Sequence, residues 1–298
     1  MQTAPLRLEA RAKVNLYLGV HAGVDADGYH RVDTVMCQVD LADGVTIAPA
    51  PELCVTTVPA ADFPQHKNTA YKAACAMGEA FGFEPAYAIE IEKHIPIAAG
   101  LGGPSTDAAA VIRGLCLLRD IDVDDRRVDE VARKIGADVP FFLYGSPALL
   151  EGRGDAFVRS FPAIEELPVV LVRADGPGVA APSAYGEFDR NPVALPDIAP
   201  CVDALDAGDI RRAVRSIRNN LAPASCSLAP HIELCLAWLR TCDGVVRAEV
   251  SGSGSCVFAI CTSENSARRI AGEAVSKGDG WWAHAGSLKN SASFLKVL

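Results

Sequence analysis

Gly100-Leu101-Gly102-Gly103-Pro104-Ser105-Thr106-Asp107-Ala108-Ala109-Ala110 is the stretch on which the reading of this chain turns. Its glycines let the backbone approach a ligand closely and can gather successive N–H groups into one concavity. Ser105, Thr106 and Asp107 are good N-cap residues, and the alanines behind them favour a helix. Upstream, Ala86 to Glu92 alternates as a strand does and leads into Ile95-Pro96-Ile97. Strand, glycine loop and helix in that order make either a tight connection with no ligand or a cradle for a di- or triphosphate at a helix N-terminus. Two common nucleotide signatures are absent. No Gly-Lys is followed by Ser or Thr, and the last glycine of a dinucleotide fingerprint would fall on Ser105.

Working outward, residues 5–20 read as a strand and the Gly- and Asp-rich stretch 23–30 as a loop. Strands are expected over 32–41 and 44–48 with Asp43-Gly44 as the turn between them. Helical spacing predicts helices over 68–81, 107–118 and 123–135, the last stopping at Gly136. Pro168 to Arg173 reads as a buried strand with proline at its first position. The proline-rich segment 176–200 is the best candidate for an inter-domain boundary. Beyond it, helices are expected at 201–218 and 230–241. Strands follow at 244–250 and 255–261, joined by a Ser-Gly-Ser-Gly turn, and then a helix at 264–277. The pattern is α+β, without internal repeats.

The chain has 298 residues, half of them apolar, and a formal net charge of -9. That balance suits a globular chain and argues against a nucleic-acid binder, which shows a basic stripe. Arg211, Arg212, Arg215 and Arg218 have the spacing of one solvated helix face. None of the ten cysteines forms a Cys-x-x-Cys pair. Most sit in apolar runs such as Val35-Met36-Cys37 and Ala73-Ala74-Cys75, as buried free thiols in a reducing cytoplasm would. Charged residues interrupt the N-terminal stretch, and no apolar run is long enough to span a membrane.

Four further segments carry chemistry. In Gly136-Ala137-Asp138-Val139-Pro140 a carboxylate sits in an apolar setting, as a turn cap or as a general base. In Ala12-Lys13-Val14-Asn15-Leu16 a lysine interrupts an apolar strand, so it snorkels, pairs with a carboxylate or meets a phosphate. Asp27-Gly28-Tyr29-His30 puts an aromatic ring and an imidazole on a glycine loop, a structural pair or a seat for a heterocyclic base. Ser251-Gly252-Ser253-Gly254-Ser255 is a hairpin turn or a second nest of backbone donors.

In this order the segments resemble the GHMP kinase superfamily, and within it the branch acting on 4-diphosphocytidyl-2-C-methyl-D-erythritol. The resemblance implies a two-domain GHMP kinase fold, with mixed β-sheets, packed helices and an active-site cleft between domains 1–160 and 161–298. It implies an ATP-dependent kinase using Mg²⁺, with metal ligands left unassigned and Ser105 a weak candidate. Lys13 and Asp138 fall on the catalytic positions. The loop Pro96-Ile97-Ala98-Ala99-Gly100 through Thr106 would hold the triphosphate, with Asn68 and Lys93 near the adenine. Tyr29, His30 and Tyr185 would hold the cytosine, and Asn15 the methylerythritol part of this small-molecule substrate. No nucleic acid or membrane partner is implied, and the chain is expected to be a monomer or weak homodimer. Pro104 departs from the family's usual third glycine. Ala180 and Ser183 stand where Ser and Thr are common. A homoserine- or mevalonate-type kinase and a catalytically silent nucleotide-binding homologue are the alternatives.

Overall fold

The computed structural model describes residues 4–277 and 280–290. The first half runs β1 (Leu6–Val20), β2 (Val32–Pro49), β3 (Cys54–Val58), α1 (Thr69–Phe81), β4 (Tyr87–Glu92), α2 (Gly103–Arg119), α3 (Arg126–Ile135), α4 (Val139–Tyr144), β5 (Ala148–Glu151) and β6 (Ala156–Ser160). Next come β7 (Pro168–Arg173), α5 (Ala181–Arg190), α6 (Ala199–Asp206), α7 (Ile210–Arg215), β8 (Arg218–Asn219) and α8 (Ala222–Leu228). The chain closes with α9 (Pro230–Thr241), β9 (Val245–Val250), β10 (Val257–Cys261), α10 (Glu264–Ser276) and β11 (Trp282–Lys289).

The strands form one mixed sheet path, β3-β4-β2-β11-β7-β10-β9, with β1 also on β2, and β5 joining β2 to β6. β3 runs parallel to β4 and β1 parallel to β8, while the other pairs are antiparallel. β11 is the joint: Trp282 to Ser287 pair with β7, and Leu288 and Lys289 with β2.

Alternation explains the layers. Leu6, Leu8 and Ala10 of β1 face the first core, with Ile47, Ile89, Leu115 and Phe141. After a register shift between Arg11 and Lys13, residues Ala12, Val14 and Leu16 face a second core shared with Val169, Leu171, Leu205 and Phe258. Val170 and Val172 of β7 face a third, with Ile232, Val250 and Ile270. β7 is therefore covered on both faces, which is why it reads as an unbroken apolar run.

The structure corrects three expectations and adds a helix to a fourth segment. Residues 32–49 are one strand, with no turn at Asp43-Gly44. The buried Asp43 accepts from the backbone N–H groups of His94 (2.5 Å) and Ile95 (2.8 Å), so its carboxylate serves a neighbouring strand end rather than its own turn. The helix expected at 201–218 is two helices, α6 and α7, separated around Gly208 at φ 70°. The proline-rich segment 176–200 contains α5, with Pro182 in its first turn, where the missing N–H costs nothing. Cys75 is exposed, as is Cys54, although six other cysteines are buried; all ten are free thiols. Burial pushes the Cys37 and Cys201 thiols up to about 12, so they act as core residues.

Candidate active site

A cleft of about 830 Å³ opens between the glycine loop, the corner before α4, the loop Val24–His30 and α5. Lys13 and Asn15 lie on the face of β1 opposite Ala12 and Val14, which turns both polar side chains into it. Lys13 is 3% exposed, and its Nζ donates to Asn15 Oδ1 at 2.8 Å and stands 3.7 Å from Asp138 Oδ2. Asn15 Nδ2 donates to Thr34 Oγ1 (2.9 Å), which donates to the Tyr17 carbonyl (2.8 Å). This relay fixes which amide oxygen faces the lysine. Asp138 precedes the first turn of α4 without capping it, so its carboxylate stays turned toward the cleft.

The loop above is braced from behind. Ser251 Oγ donates to the Gly100 carbonyl at 2.9 Å, and Cys256 N–H to the Ala99 carbonyl at 3.0 Å. Asn219 Nδ2 holds the Val250 and Gly252 carbonyls (3.0 and 2.9 Å), so the Ser251–Ser255 segment is itself pinned. Two glycines are required here. Gly100 has φ 73°, and a Cβ there would lie 2.0 Å from the Ser251 carbonyl oxygen. Gly102 has φ 74°, and its Cβ would meet the Phe142 ring at 2.9 Å. α2 starts immediately after, at Gly103. The Ser105 and Thr106 N–H groups turn back to the Gly102 carbonyl, while those of Gly102 and Gly103 have no acceptor among the described residues. Unsatisfied donors at the head of a 17-residue helix are an anion seat.

Of the loop residues expected to meet phosphate, Gly100, Gly102 and Ser105 line the cleft; Pro96, Ile97, Ala98, Ala99, Leu101, Gly103, Pro104 and Thr106 form its flanks and support. Asn68 and Lys93 lie outside the lining. Asn68 Oδ1 caps α1 by accepting from Ala70 N–H at 2.9 Å. Lys93 reaches beneath the loop to Asp43 and, at 2.6 Å, to Asp107. Burial works against the Lys93 ammonium, but Asp107 and Asp43 more than reverse it and leave its pKa raised.

The third wall is aromatic. The His30 ring is buried, with Nδ1 3.0 Å from the His21 carbonyl and Nε2 3.3 Å from Asp189 Oδ1. It stacks on Tyr185 with centroids 5.3 Å apart and planes 16° from parallel. Phe188 closes its edge at 5.9 Å. Burial and, behind it, the Asp138 charge push the Tyr185 hydroxyl up to about 12, so it stays a neutral donor beside that carboxylate. Tyr29 is 54% exposed at the cleft mouth. A pinned cation–carboxylate pair between a phosphate seat and an aromatic wall is a layout for phosphoryl transfer to a ring-bearing alcohol.

Comparison with known proteins gives the same layout a lineage. Residues 68–146 match the family described as GHMP kinases N terminal domain, and residues 201–280 match GHMP kinases C terminal. A 4-diphosphocytidyl-2-C-methyl-D-erythritol kinase of a Bradyrhizobium species is 38% identical over 96% of this chain and 98% of that protein. This chain belongs to that kinase family. The namesake of Rhodopseudomonas palustris is 37% identical over 95% of this chain and 97% of its own length. A crystal structure of 4-(cytidine 5'-diphospho)-2C-methyl-D-erythritol kinase superposes with a TM-score of 0.76 at 31% identity, covering 96% of this chain and all of that one. Homoserine kinase from Cytophaga hutchinsonii, at 19% identity and a TM-score of 0.70, shares the fold.

Several residues of this kinase's cleft escaped the sequence. Thr34, Asp189 and Asn219 reach the site from segments far from the motifs they support, and nothing local distinguishes Thr34 or Asp189. The adjacent amides Asn219-Asn220, set between Ile217 and Leu221, were the one available signal: Asn220 likewise ties the Val20 backbone. Of the departures from the family pattern, Ala180 sits at the N-cap of α5 with no side-chain bond to offer.

Proposed function

We propose that this ATP-dependent kinase phosphorylates the 2-hydroxyl of 4-diphosphocytidyl-2-C-methyl-D-erythritol, in the non-mevalonate route to isoprenoid precursors. The observation that supports it is the Lys13–Asp138 pair at 3.7 Å, facing both the glycine loop and the Tyr29–His30–Tyr185 wall. In this reading the triphosphate lies along Pro96–Thr106, with the adenine toward Asn68 and Lys93. The cytosine rests against Tyr29 and Tyr185 within reach of His30, and Asn15 meets the methylerythritol. Residues 1–160 and 161–298 form the two lobes, and the enzyme works in a reducing cytoplasm.

Asp138 orients the acceptor hydroxyl and takes its proton as that oxygen bonds to the γ-phosphorus; the bond from the γ-phosphorus to the β-bridging oxygen breaks and ADP leaves. Lys13, 3.7 Å from the Asp138 carboxylate, orients it and faces the developing charge on the transferring group. The pinned loop and the buried Lys13–Asn15–Thr34 relay hold this geometry before the nucleotide arrives. Among the described residues no group of three His, Cys, Asp or Glu side chains gathers to hold a metal. The oxygens of Ser105 and Asp138, both in the cleft lining, suit a hard cation that enters with the nucleotide. Mg²⁺, when bound, neutralises phosphate charge.

The test is ADP release from Mg-ATP with the cytidylyl substrate, homoserine or mevalonate in parallel, using the wild type and Asp138→Asn. Release with the cytidylyl alcohol alone, lost by at least about a hundredfold in Asp138→Asn while ATP still binds, is the expected result. Turnover of homoserine or mevalonate instead, or near-normal turnover by Asp138→Asn, would overturn the substrate or the base.

A further inference from the structure

Tyr29 presents a problem of rigidity. An aromatic ring that is to receive a base must be held still, yet this one is 54% exposed on a glycine loop. Locally the loop closes on itself: Asp25 N–H donates to the Tyr29 carbonyl (2.7 Å), and Asp25 Oδ1 accepts from the N–H groups of Asp27 and Tyr29 (both 2.9 Å). These bonds fix the backbone but not the ring.

What reaches the ring comes from 124 positions later in the chain (153 − 29). Arg153 occupies the turn between β5 and β6, between Gly152 (φ 73°) and Gly154 (φ 83°). The turn is tied down by Val32 N–H on the Gly152 carbonyl (2.7 Å) and by Arg153 N–H on Asp155 Oδ1 (3.1 Å). From this base the Arg153 guanidinium donates to Asp25 Oδ2 through Nε (3.2 Å) and Nη2 (2.9 Å), and to Asp27. Its carbon also lies 4.0 Å from the Tyr29 ring centroid. One planar cation thus joins two carboxylates and a ring face, a fork that an ammonium does not reproduce.

We propose that Arg153 is a positioning residue for substrate recognition, locking the Asp25–Tyr29 loop and covering one face of Tyr29 so that the other face is presented to the pyrimidine base. The alternative duty of a cleft-lining arginine, gripping the substrate's diphosphate, suits it poorly. Its single charge already faces two carboxylates, so the cluster carries a net charge of −1 and repels phosphate. This inference rests on the reading of Tyr29 as the base-stacking residue.

The experiment is a double-mutant cycle on the full chain, with Arg153→Ala, Tyr29→Ala and the double variant, measuring KM for the cytidylyl substrate, KM for ATP and kcat. Arg153→Ala is expected to raise the cytidylyl KM about tenfold while kcat and the ATP KM stay within about twofold. In the Tyr29→Ala background the same change should then cost less than about twofold, because Arg153 acts through the ring. Arg153→Lys should recover only part of the loss. Additive effects would mean that Arg153 meets the substrate on its own, and an unchanged cytidylyl KM would mean that it positions nothing; either overturns the proposal. If Tyr29→Ala itself leaves that KM unchanged, the stacking reading fails first, and the two failures are told apart. Should Arg153→Ala fold poorly, Asp27→Asn removes one arm of the clamp without losing volume, and must raise the same KM selectively.

Discussion

Asp107 shows how much one side chain's surroundings decide. It is 4% exposed; Oδ2 takes Lys93, while Oδ1 has no partner among the described residues. Asp43, by contrast, accepts from two backbone N–H groups as well as Lys93. Burial raises the Asp107 carboxyl from 3.8 to about 7, against the pull of Lys93. Between those values the folded chain holds a proton that the unfolded chain has released. The contribution to stability is therefore complete at low pH and is lost as pH rises through about 7. Asp107→Asn should flatten that slope, so that its thermal midpoint gains on the wild type between pH 5 and pH 8. Each kcal/mol of difference moves the midpoint by roughly 2–4 °C in a large chain. Parallel pH profiles for the two proteins would rule out Asp107 as the proton's site.

At the scale of an element, α2 resolves the question raised by Pro104. The sequence suggests a phosphate cradle short of one donor. In the structure Pro104 is the second residue of the helix, a position whose N–H has no intrahelical acceptor and whose φ proline already satisfies. Its carbonyl accepts from Thr69 Oγ1 at 2.6 Å, stapling the start of α1 to the start of α2. The loop donors Gly102 and Gly103 are untouched. Pro104→Gly is therefore expected to leave the ATP KM within about threefold and to cost about 0.4–1 kcal/mol through a freer unfolded chain. A KM that falls tenfold would show that the missing donor matters after all. Chemical denaturation and steady-state kinetics on the same preparation separate the two effects.

Over the whole molecule, β11 is the element that joins the β2 side of the sheet to the β7 side. Leu288 is fully buried there, on the second core, which also takes residues from β1, β7 and α6. Because that core draws on both halves, they should unfold together. Leu288→Ala should lower stability by about 2–5 kcal/mol and keep a single transition. Urea titration followed by circular dichroism and by tryptophan fluorescence checks both points. Two separated transitions in the wild type would mean that the halves are held independently.

Local grammar is legible along the chain. Alternation marked β1, glycines and alanines marked the loop and α2, and charged or aromatic residues in apolar or glycine settings marked Lys13, Asp138, Tyr29 and His30. Each of those signals lies within a dozen residues, where period and turn chemistry act. Only the tertiary structure decided that Asp43-Gly44 lies within a strand, that a proline-rich stretch holds α5, and that β11, half-buried and without clean alternation, joins the sheet. It also decided that Lys13 leans on Asn15 and Thr34, and that His30 stacks on Tyr185 with Asp189 at its edge. Those outcomes depend on partners as far as 159 positions away (189 − 30). A buried carboxylate or imidazole takes whichever donors the fold delivers, and no periodicity along the chain records which those will be.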